Sequence, residues 1–480
     1  MLALCRTVIR RPSVLSNHSK RQVSKSLSTD SKDASSDTQS ESKPLSLYCW
    51  GTSQKGSIPT KDVLEEGRSG GASATSSLLN RKGSVFDHPV KIDLEDAFGK
   101  FSFLTTWVTS CIVMMLCSNF IPCFCLCCTG DKNISIRDIE CGPTSTAVIT
   151  SDNTAYTFGF NSTYGQLGTG DKNDVLIPTL LSPPDSTPLR RDQISKIALG
   201  QNMSAIIDTN GDLYTMGYNG SVMGEGVGCL GHGYSKEYLL VPTLVQSLVE
   251  DGCKAKQVVV GNSHMTVLTD QGEVLVSGSG QYGRCGNLDP VDQLFLEPVE
   301  LLMGETDICH IASGKEYTLA LTEKEGIIFS WGRNDKGQCG SGSGLSVEMY
   351  AMESMPVAVE GMLEGRKVVK MDAGYAHAAA LTDKGELFIW GSVGQPQPEL
   401  VTALGHTRIV DVTCGQDYTI ALDHEGKIYS FGRGKTGVLG LASEKFAVEP
   451  TLVEGMLGKK VVKLQAGWKH VACLAEDLEE

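Results

Sequence analysis

The chain has 480 residues, among them 53 Gly, 17 Pro and 16 Cys, and its formal net charge is −14. Glycine exceeds its usual share of about 7% without high proline or a three-residue period, which excludes collagen, and 41% hydrophobic residues exclude wholesale disorder. The excess of acidic residues argues against direct binding of nucleic acid, whose phosphates need basic partners.

The first 29 residues contain six basic residues and six serines, and the first acidic residue of the chain is Asp30. Because such a composition is typical of organelle targeting peptides, residues 1–29 are predicted to be a mitochondrial transit peptide, with a disordered basic tail as the alternative. Residues 30–44 are rich in serine, which indicates a linker. Beyond residue 29 the chain holds 36 basic and 56 acidic residues, a net charge of −20.

Residues 101–130 carry no charge and contain six of the cysteines. The segment is long and apolar enough for a transmembrane helix, which needs about 20 residues. A metal site at Cys123, Cys125, Cys127 and Cys128 is a weaker interpretation, because adjacent cysteines without a partner pair elsewhere do not match zinc spacing. The internal repeats described next suggest a third interpretation.

Six units of similar pattern follow one another from residue 142 onward. In each unit a short apolar strand ends in a starting glycine, and a later strand ends in a closing glycine 17 or 18 residues further on. Turns such as Asn210–Gly211 precede several of the later strands and predict β-hairpins. The starting glycines are Gly142, Gly200, Gly261, Gly314, Gly374 and Gly415, and the closing glycines are Gly159, Gly217, Gly278, Gly332, Gly391 and Gly432.

The two ends of the repeat region contain complementary halves of a seventh unit. Near the N-terminus, SLYCWG ends in Gly51 and corresponds to a second half, while Gly467 in QAGWKH occupies the starting position of a first half. Pairing of the two halves closes a ring and leaves no free sheet edge. The sequence therefore predicts an all-β fold, a seven-bladed β-propeller over residues 45–480, closed by its N-terminal and C-terminal half-repeats.

These repeats resemble those of the regulator of chromosome condensation family, with the pattern strand–Gly–x–x–His and then WG-x-N-x-x-G-Q-L-G. The best matches are WGRNDKGQCGSG (residues 331–342), GFNSTYGQLGTGD (159–171) and SFGRGKTGVLG (430–440). The histidine position is kept as His264, His377 and His470. The resemblance implies a propeller whose repeat residues are structural, so these histidines are expected to pack and to form hydrogen bonds between repeats rather than to catalyse or bind metal.

The repeat spacing identifies the apolar segment as an interruption. Six prolines that open the connections between units lie 16–22 residues before the next starting glycine, but Pro89 lies 53 residues before Gly142. Removing residues 99–130 restores a distance of 21. We interpret 99–130 as an insert of the kind that a retained intron would encode. A membrane-anchoring segment and a functional loop remain the alternatives, although a single membrane crossing here would separate the two halves of the split unit.

No enzyme active site is found in the sequence. The residues Gly434–Lys435–Thr436 match the last three positions of the phosphate-binding loop motif GxxxxGK(S/T). The first glycine of that motif is absent, because Tyr429 occupies its position. No metalloprotease, serine-hydrolase or paired CxxC motif occurs. We therefore expect no catalytic residues, no metal and no cofactor.

The expected function is a non-catalytic protein-interaction scaffold. The resemblance, together with the predicted transit peptide, implies a mitochondrial protein of the matrix or inner membrane that supports ribosome or RNA assembly. The charge of −20 favours a basic protein partner, such as a ribosomal protein or an assembly factor, at residues the sequence does not identify.

Two alternatives stay open. The first is guanine-nucleotide exchange on a small GTPase, the activity of the family founder, with a cytoplasmic or nuclear location. The second is a membrane-anchored propeller, if residues 101–130 span a bilayer. The function of the UV-B receptor of this family is rejected. It requires several tryptophans in GWRHT motifs, and only Trp468 lies in a similar motif.

Overall fold

The structure is a computed structural model that describes residues 45–52, 85–91, 136–161, 163–220, 228–233, 236–304, 307–343, 351–392, 394–434, 437–442 and 445–478. The predicted transit peptide, the linker at residues 30–44 and the insert at residues 99–130 lie outside these ranges. Within them, no helix has the length and apolarity needed to cross a membrane.

The described part of the chain forms seven four-stranded antiparallel sheets. The strands that precede the first complete sheet are β1 (Leu45–Thr52) and β2 (Val85–Lys91). Blade 1 contains β3 (Ile136–Cys141), β4 (Ser145–Thr150), β5 (Ala155–Gly159) and β6 (Val175–Leu180). Blade 2 contains β7 (Ile194–Leu199), β8 (Met203–Asp208), β9 (Leu213–Tyr218) and β10 (Tyr238–Leu244), followed by the short helix α1 (Gln246–Glu250).

The remaining blades repeat this order. Blade 3 contains β11 (Ala255–Val260), β12 (His264–Thr269), β13 (Val274–Gly278) and β14 (Gln293–Pro298). Blade 4 contains β15 (Ile308–Ser313), β16 (Tyr317–Thr322), β17 (Ile328–Arg333) and β18 (Met352–Ala358). Blade 5 contains β19 (Val368–Ala373), β20 (His377–Thr382), β21 (Leu387–Gly391) and β22 (Gln395–Leu400).

Blade 6 contains β23 (Ile409–Cys414), β24 (Tyr418–Asp423), β25 (Ile428–Arg433) and β26 (Phe446–Leu452). The last strands of the chain are β27 (Lys459–Ala466) and β28 (His470–Asp477). Short 3-10 helices occur at Gln281–Gly283, Glu300–Leu302, Gly361–Leu363, Thr402–Leu404 and Glu454–Met456.

Blade 7 is built from both ends of the repeat region, in the order β2-β1-β28-β27. The N-terminal strand β1 pairs with β28 from Leu45 opposite Glu476 to Gly51 opposite His470. This pairing gives the ends of the repeat region a common sheet and confirms the predicted seven-bladed propeller and its split closing blade.

The second strand of each complete blade is buried along its whole length, since sheet neighbours flank it and adjacent blades cover both of its faces. The first strands are different. They alternate between buried residues and residues that face a central channel, and each has a β-bulge near its beginning.

The loops divide between two faces of the propeller. The glycine face carries the turns that connect the first and second strands of each blade and the loops that connect the third and fourth strands. The hairpin face carries the turns between second and third strands and the connections to the next blade. Backbone hydrogen bonds hold neighbouring loops together on each face, such as Ser279 N–H to the Ser263 carbonyl on the glycine face and Ala255 N–H to the Gly211 carbonyl on the hairpin face.

Candidate functional site

The starting glycines lie on the glycine face, where neighbouring blades approach most closely. A Cβ atom on Gly142 would lie 2.6 Å from Cβ of Leu199, and one on Gly467 would lie 2.3 Å from the carbonyl oxygen of Gly142. Contacts this short leave no room for a side chain. The nearest atoms would be 2.0–2.5 Å away at Gly200, Gly261, Gly314, Gly374 and Gly415.

The closing glycines end the third strands on the same face with a left-handed backbone. Their φ angles range from 97° to 118°, which L-residues with a side chain rarely adopt. In the split blade, Gly51 pairs with His470 in the register in which Gly278 pairs with His264. The six that have positive φ are Gly159, Gly217, Gly278, Gly332, Gly391 and Gly432.

The repeat histidines are buried and join each blade to the next. The Nε2 atom of each lies within hydrogen-bond distance of a threonine hydroxyl on the following blade, and burial lowers the pKa of His264 to about 3 and those of His377 and His470 to about 4. These neutral rings have no access to solvent, which suits a structural role. The pairs are His264 with Thr318 at 3.0 Å, His377 with Thr419 at 3.1 Å and His470 with Thr146 at 2.8 Å.

Other residue types occupy the histidine position in the remaining blades. Tyr418 donates its hydroxyl to the Gly467 carbonyl oxygen at 2.7 Å, so it also bridges to the next blade. In blade 2, Met203 pairs with Gly217 and therefore takes this position. The bridge from His470 to Thr146 connects the split blade to blade 1.

At the centre of the glycine face, two aromatic side chains and a lysine form a cluster. Tyr375 and Trp468 make an edge-to-face contact with ring centroids 4.9 Å apart. The ammonium of Lys315 lies 5.0 Å from the centroid of the Tyr375 ring. All three residues directly follow a starting glycine, and all three are partly exposed at the mouth of the central channel.

An ionic cluster lies between blades 3 and 4 on the same face. Arg284 is fully buried and contacts Glu316 at 3.1 Å, and Arg333 contacts the other carboxylate oxygen of Glu316 at 2.6 Å. The Arg333 guanidinium also pairs with Asp335 and stacks 4.7 Å from the centroid of the Tyr282 ring. Because Glu316 bridges two arginines from different blades, this cluster fixes the position of one blade against the other.

The hairpin face has a different character, since exposed carboxylates recur there on most blades. They lie in the hairpin turns and in the connections between blades, and some of them pair with basic side chains of the same face, as Asp192 does with Arg190 and Glu425 with Lys427. Exposed acidic residues of this face include Asp152, Asp185, Asp192, Glu250, Asp251, Asp270, Glu300, Glu323, Glu325, Glu360, Glu364, Asp383, Glu425 and Glu454.

The central channel contains a cavity of about 420 Å³. The first strands of all seven blades surround the channel and place three rings of residues along it. The hairpin-end ring is Arg137, Ser195, Lys256, Cys309, Val369, Val410 and Val462. The middle ring is Asp138, Lys196, Gln257, His310, Lys370, Asp411 and Lys463, and the glycine-end ring is Glu140, Ala198, Val259, Ala312, Asp372, Thr413 and Gln465.

Two carboxyl groups of the glycine-end ring face the same cavity. Burial, and then the negative charge of Asp372, raise the pKa of Glu140 to about 8. Burial also raises the pKa of Asp372, although its carboxylate accepts a hydrogen bond from the Cys414 N–H at 2.6 Å and therefore ties blade 5 to blade 6. Glu140 is thus expected to hold a proton at neutral pH.

Within the described ranges, no group of three or more His, Cys, Asp or Glu side chains is arranged to hold a metal ion. The described cysteines are free, and seven of the nine are buried. Burial is the main reason why the pKa values of Cys141, Cys339 and Cys414 lie well above the usual value for a thiol. These features fit residues that pack the propeller rather than residues that react.

Comparison with known proteins identifies the family. Residues 118–473 match the family model of the RCC1-like domain, so the chain belongs to the RCC1-like family. The chain is 31% identical over 302 residues to the E3 ubiquitin-protein ligase HERC2 of Homo sapiens, a match that covers 60% of this chain but only 6% of that protein.

Two smaller relatives are covered more fully. The secretion-regulating guanine nucleotide exchange factor of Bos taurus is 32% identical over 323 residues, which is 64% of this chain and 65% of that protein. The mitochondrial RCC1 domain-containing protein RUG3 of Arabidopsis thaliana is 28% identical over 335 residues, which is 65% of this chain and 70% of that protein.

Solved structures share the fold. Human WBSCR16 superposes with a TM-score of 0.66 at 19% identity, and the match covers 91% of this chain and 100% of the WBSCR16 chain. Prp20p of Saccharomyces cerevisiae, described with its binding to Gsp1p and histones, superposes with a TM-score of 0.66 at 20% identity. That match covers 92% of this chain and 93% of the Prp20p chain. RCC1-like propellers of this kind are regulators and exchange factors rather than classical enzymes.

Sequence reasoning located the turns of the glycine face but missed what their variable positions form. The residue after the starting glycine varies among the blades, and only the ring closure brings Lys315, Tyr375 and Trp468 together. A comparison of that single position across the seven repeats would have grouped them, since equivalent positions in a propeller surround one axis.

Proposed function

We propose that this protein is a non-catalytic scaffold that binds a basic protein through the hairpin face of its propeller. The observation that carries the proposal is the recurrence of exposed carboxylates on that face. A partner rich in lysine and arginine would be attracted to it over a range of about 8 Å at physiological salt and would dock in a limited set of orientations.

A mitochondrial role in ribosome or RNA assembly is the specific form of the proposal. The basic composition of residues 1–29 supports a mitochondrial location, and the similarity to the mitochondrial protein RUG3 points the same way. Ribosomal proteins and many of their assembly factors are basic, and the acidic propeller suits them better than it suits bare RNA.

The test is co-sedimentation of the full-length protein with mitochondrial ribosomal particles. Asp270 and Asp383 are exposed on the hairpin face, and the double variant Asp270→Asn/Asp383→Asn should bind the particles several-fold more weakly. Asp289 and Asp417 are exposed on the glycine face, so Asp289→Asn/Asp417→Asn removes the same charge as a matched control. Equal weakening by both variants would refute the assignment of the face, and no binding by the wild type would refute the partner.

Nucleotide exchange on a small GTPase is the second candidate, favoured by the similarity to the secretion-regulating exchange factor and by the fold shared with Prp20p. Exchange requires binding energy to displace the nucleotide and not a catalytic side chain. The cluster of Lys315, Tyr375 and Trp468 offers a compact anchor for it on the glycine face. Release of a fluorescent GDP analogue from a panel of small GTPases, accelerated by the wild type and not by Trp468→Ala, would support this activity over the scaffold.

A further inference from the structure

Leu288 occupies a position where three other blades carry glycine. The position lies in the loop between the third and fourth strands, has a left-handed backbone and donates its N–H to the outer strand of the next blade. For Leu288 the φ angle is 67°, and its N atom lies 3.0 Å from the Ser354 carbonyl oxygen. The equivalent glycines are Gly170, Gly233 and Gly342, which bond to the carbonyl oxygens of Leu240, Leu294 and Pro396 at 2.9–3.1 Å.

A leucine at this position is unfavourable for folding alone. Glycine adopts a left-handed backbone freely, whereas a residue with a side chain does so at an energetic cost. The Leu288 side chain is also 61% exposed, so little burial offsets that cost. A strained residue that presents an apolar side chain to solvent is a feature of binding sites.

The repeat geometry directs the Leu288 side chain towards Met355. In each of the three glycine loops, a Cβ atom at this position would lie nearest to the residue that follows the carbonyl acceptor. Those residues are Val241, Phe295 and Gln397, at 3.9, 2.8 and 2.5 Å. In the Leu288 loop the residue that follows the acceptor Ser354 is Met355, which is 40% exposed. The two apolar side chains therefore meet at the boundary between blades 3 and 4.

Leu301 extends this apolar surface from the connection between the two blades. The Asn287 side chain donates to the Pro298 carbonyl oxygen at 3.3 Å and accepts the Glu300 N–H at 3.4 Å. These hydrogen bonds tie the connection to the loop that contains Leu288. Leu301 follows Glu300 in a 3-10 helix that contacts β18, and its side chain is 57% exposed.

The equivalent 3-10 helix after blade 6 indicates what Leu301 faces. Gly455 holds the same second position in that helix, and a Cβ atom on it would lie 2.8 Å from Cδ of Pro89 on the outer strand of blade 7. The corresponding repeat proline on β18 is Pro356, directly after Met355. Leu288, Leu301 and Met355 thus form one exposed surface, the rim patch, on the outer side of blades 3 and 4.

Carboxylates border the rim patch. Glu300 directly precedes Leu301, and Glu297 directly precedes Pro298. Both are exposed, and within the part of the chain that the structure describes no basic side chain lies within 4.0 Å of either carboxylate. An apolar surface with unpaired negative charges at its border suits a partner that carries apolar and basic residues side by side. A second copy of this chain suits it less, because a two-fold contact would bring the same carboxylates towards each other.

The outer strand of blade 4 is a poor template for an added β-strand. The Ser354 carbonyl oxygen already accepts the Leu288 N–H, and Pro356 has no N–H to donate. A bulge also interrupts the pairing of β18 with β17. A helix needs no backbone hydrogen bonds to its binding surface, so it fits the rim patch better than an extended segment.

We propose that the rim patch binds an amphipathic helix of a partner protein, with large apolar side chains on one face and lysine or arginine beside them. The apolar face of the helix contacts Leu288, Leu301 and Met355. Its basic side chains pair with Glu297 and Glu300. This surface holds its ligand through apolar anchors on the outer side of the propeller, so the proposal does not depend on the scaffold role of the hairpin face.

Fluorescence anisotropy of a labelled peptide added to the full-length protein tests the proposal. The peptide has about 18 residues, with leucine recurring at i, i+3, i+4 and i+7 and lysine elsewhere, and a scrambled peptide has the same composition. The protein should bind the amphipathic peptide at least about tenfold more tightly, since burial of leucine side chains adds to a charge attraction that both peptides share. The variant Leu288→Gly/Leu301→Ala should lose this preference. Because Leu288→Gly restores the glycine of the other repeats, the variant is expected to fold, which thermal unfolding verifies.

The matched control changes the same two repeat positions on other blades. Ala442 has a φ of 55° at the position of Leu288 in blade 6, and Met362 is 45% exposed at the position of Leu301 after blade 4. Ala442→Gly/Met362→Ala should keep the wild-type preference for the amphipathic peptide. Equal binding of the two peptides by the wild type, or an equal loss in both double variants, would overturn the proposal. A wild-type dimer in sedimentation that Leu288→Gly/Leu301→Ala dissociates would assign the rim patch to a second copy and also overturn it.

Discussion

Glu140 gives the propeller a pH-dependent stability that a single substitution should remove. Its carboxyl group faces the central cavity near Asp372, and its pKa rises from 4.5 to about 8. Gln465 occupies the equivalent position on the neighbouring blade 7, so Glu140→Gln introduces a side chain that the channel already accommodates. The substitution removes the ionisable group and keeps its size.

The magnitude follows from the two pKa values. In the unfolded chain Glu140 loses its proton near pH 4.5, and in the folded chain it keeps the proton until about pH 8. Stability is therefore unaffected below pH 4.5, falls as the pH rises between these values and reaches its full deficit above pH 8. At about 1.4 kcal/mol per pH unit the deficit is at most about 5 kcal/mol, and water in the channel reduces it.

Urea unfolding of wild type and Glu140→Gln at a series of pH values measures the effect. We expect similar stabilities near pH 4.5 and a gain in the variant of about 2–3 kcal/mol at pH 7, increasing to pH 9. The difference between the two proteins cancels contributions from other groups, including the buried histidines. The reverse substitution Gln465→Glu should introduce a second deficit of the same sign. A wild type and variant whose difference in stability stays constant from pH 5 to pH 9 would refute the assignment of this pKa.

Other predictions concern the repeat positions. Gly159→Ala should destabilise the fold by more than about 2 kcal/mol, because φ is 118° and the new Cβ would lie 2.6 Å from Cα of Ser145. As a control, Gly252→Ala should cost about 1 kcal/mol, because φ is 71° and no atom lies within 4 Å of the new Cβ. Equal costs of the two substitutions in urea unfolding would contradict the packing argument. His470→Ala should cost about 2–4 kcal/mol by the same assay, since it empties a buried site and removes the hydrogen bond between the ring and the Thr146 hydroxyl. A cost below about 0.5 kcal/mol would show that this bridge does not stabilise closure. Because His377 and His470 are neutral when folded, stability should also fall as the pH drops from 6.5 towards 4, less steeply in His470→Ala. In mapped alkylation of the native protein, Cys253 should react well before the buried Cys339, and the opposite order would place Cys339 at the surface.

The fold can be predicted from the sequence because each repeat keeps glycine at the same positions, where the backbone conformation or the packing requires it. A closing glycine with positive φ is needed once per blade, and its spacing from the starting glycine survives large changes in loop length. The split unit could be recognised for the same reason, since Gly51 and Gly467 each keep one half of the pattern. This repeated spacing reflects the local backbone geometry of the turns, which depends on residues close together in the chain.

The candidate sites were harder to predict because they depend on positions that the repeat leaves free. Glu140 and Asp372 come from different units, and nothing in either local sequence indicates that the fold brings both side chains to one cavity. The ion pairs of the middle ring, Lys370 with Asp411 and Lys463 with Asp138, each join two neighbouring blades. Pairing across a ring is a property of the closed fold, so it becomes visible only in the structure.

The two faces of the propeller can bind different partners because the structural constraints on their turns differ. Structural demands are concentrated on the glycine face, where starting glycines, closing glycines and buried histidines leave little freedom to the turns. The hairpin turns also contain constrained glycines, such as Gly326 and Gly385, but the residues beside these glycines are exposed, and a carboxylate occurs there on most blades. Charge can therefore accumulate on the hairpin face without cost to packing. A propeller of this type acquires a new partner most easily through those turns, whereas the anchor of Lys315, Tyr375 and Trp468 must form at the single free position of each constrained turn.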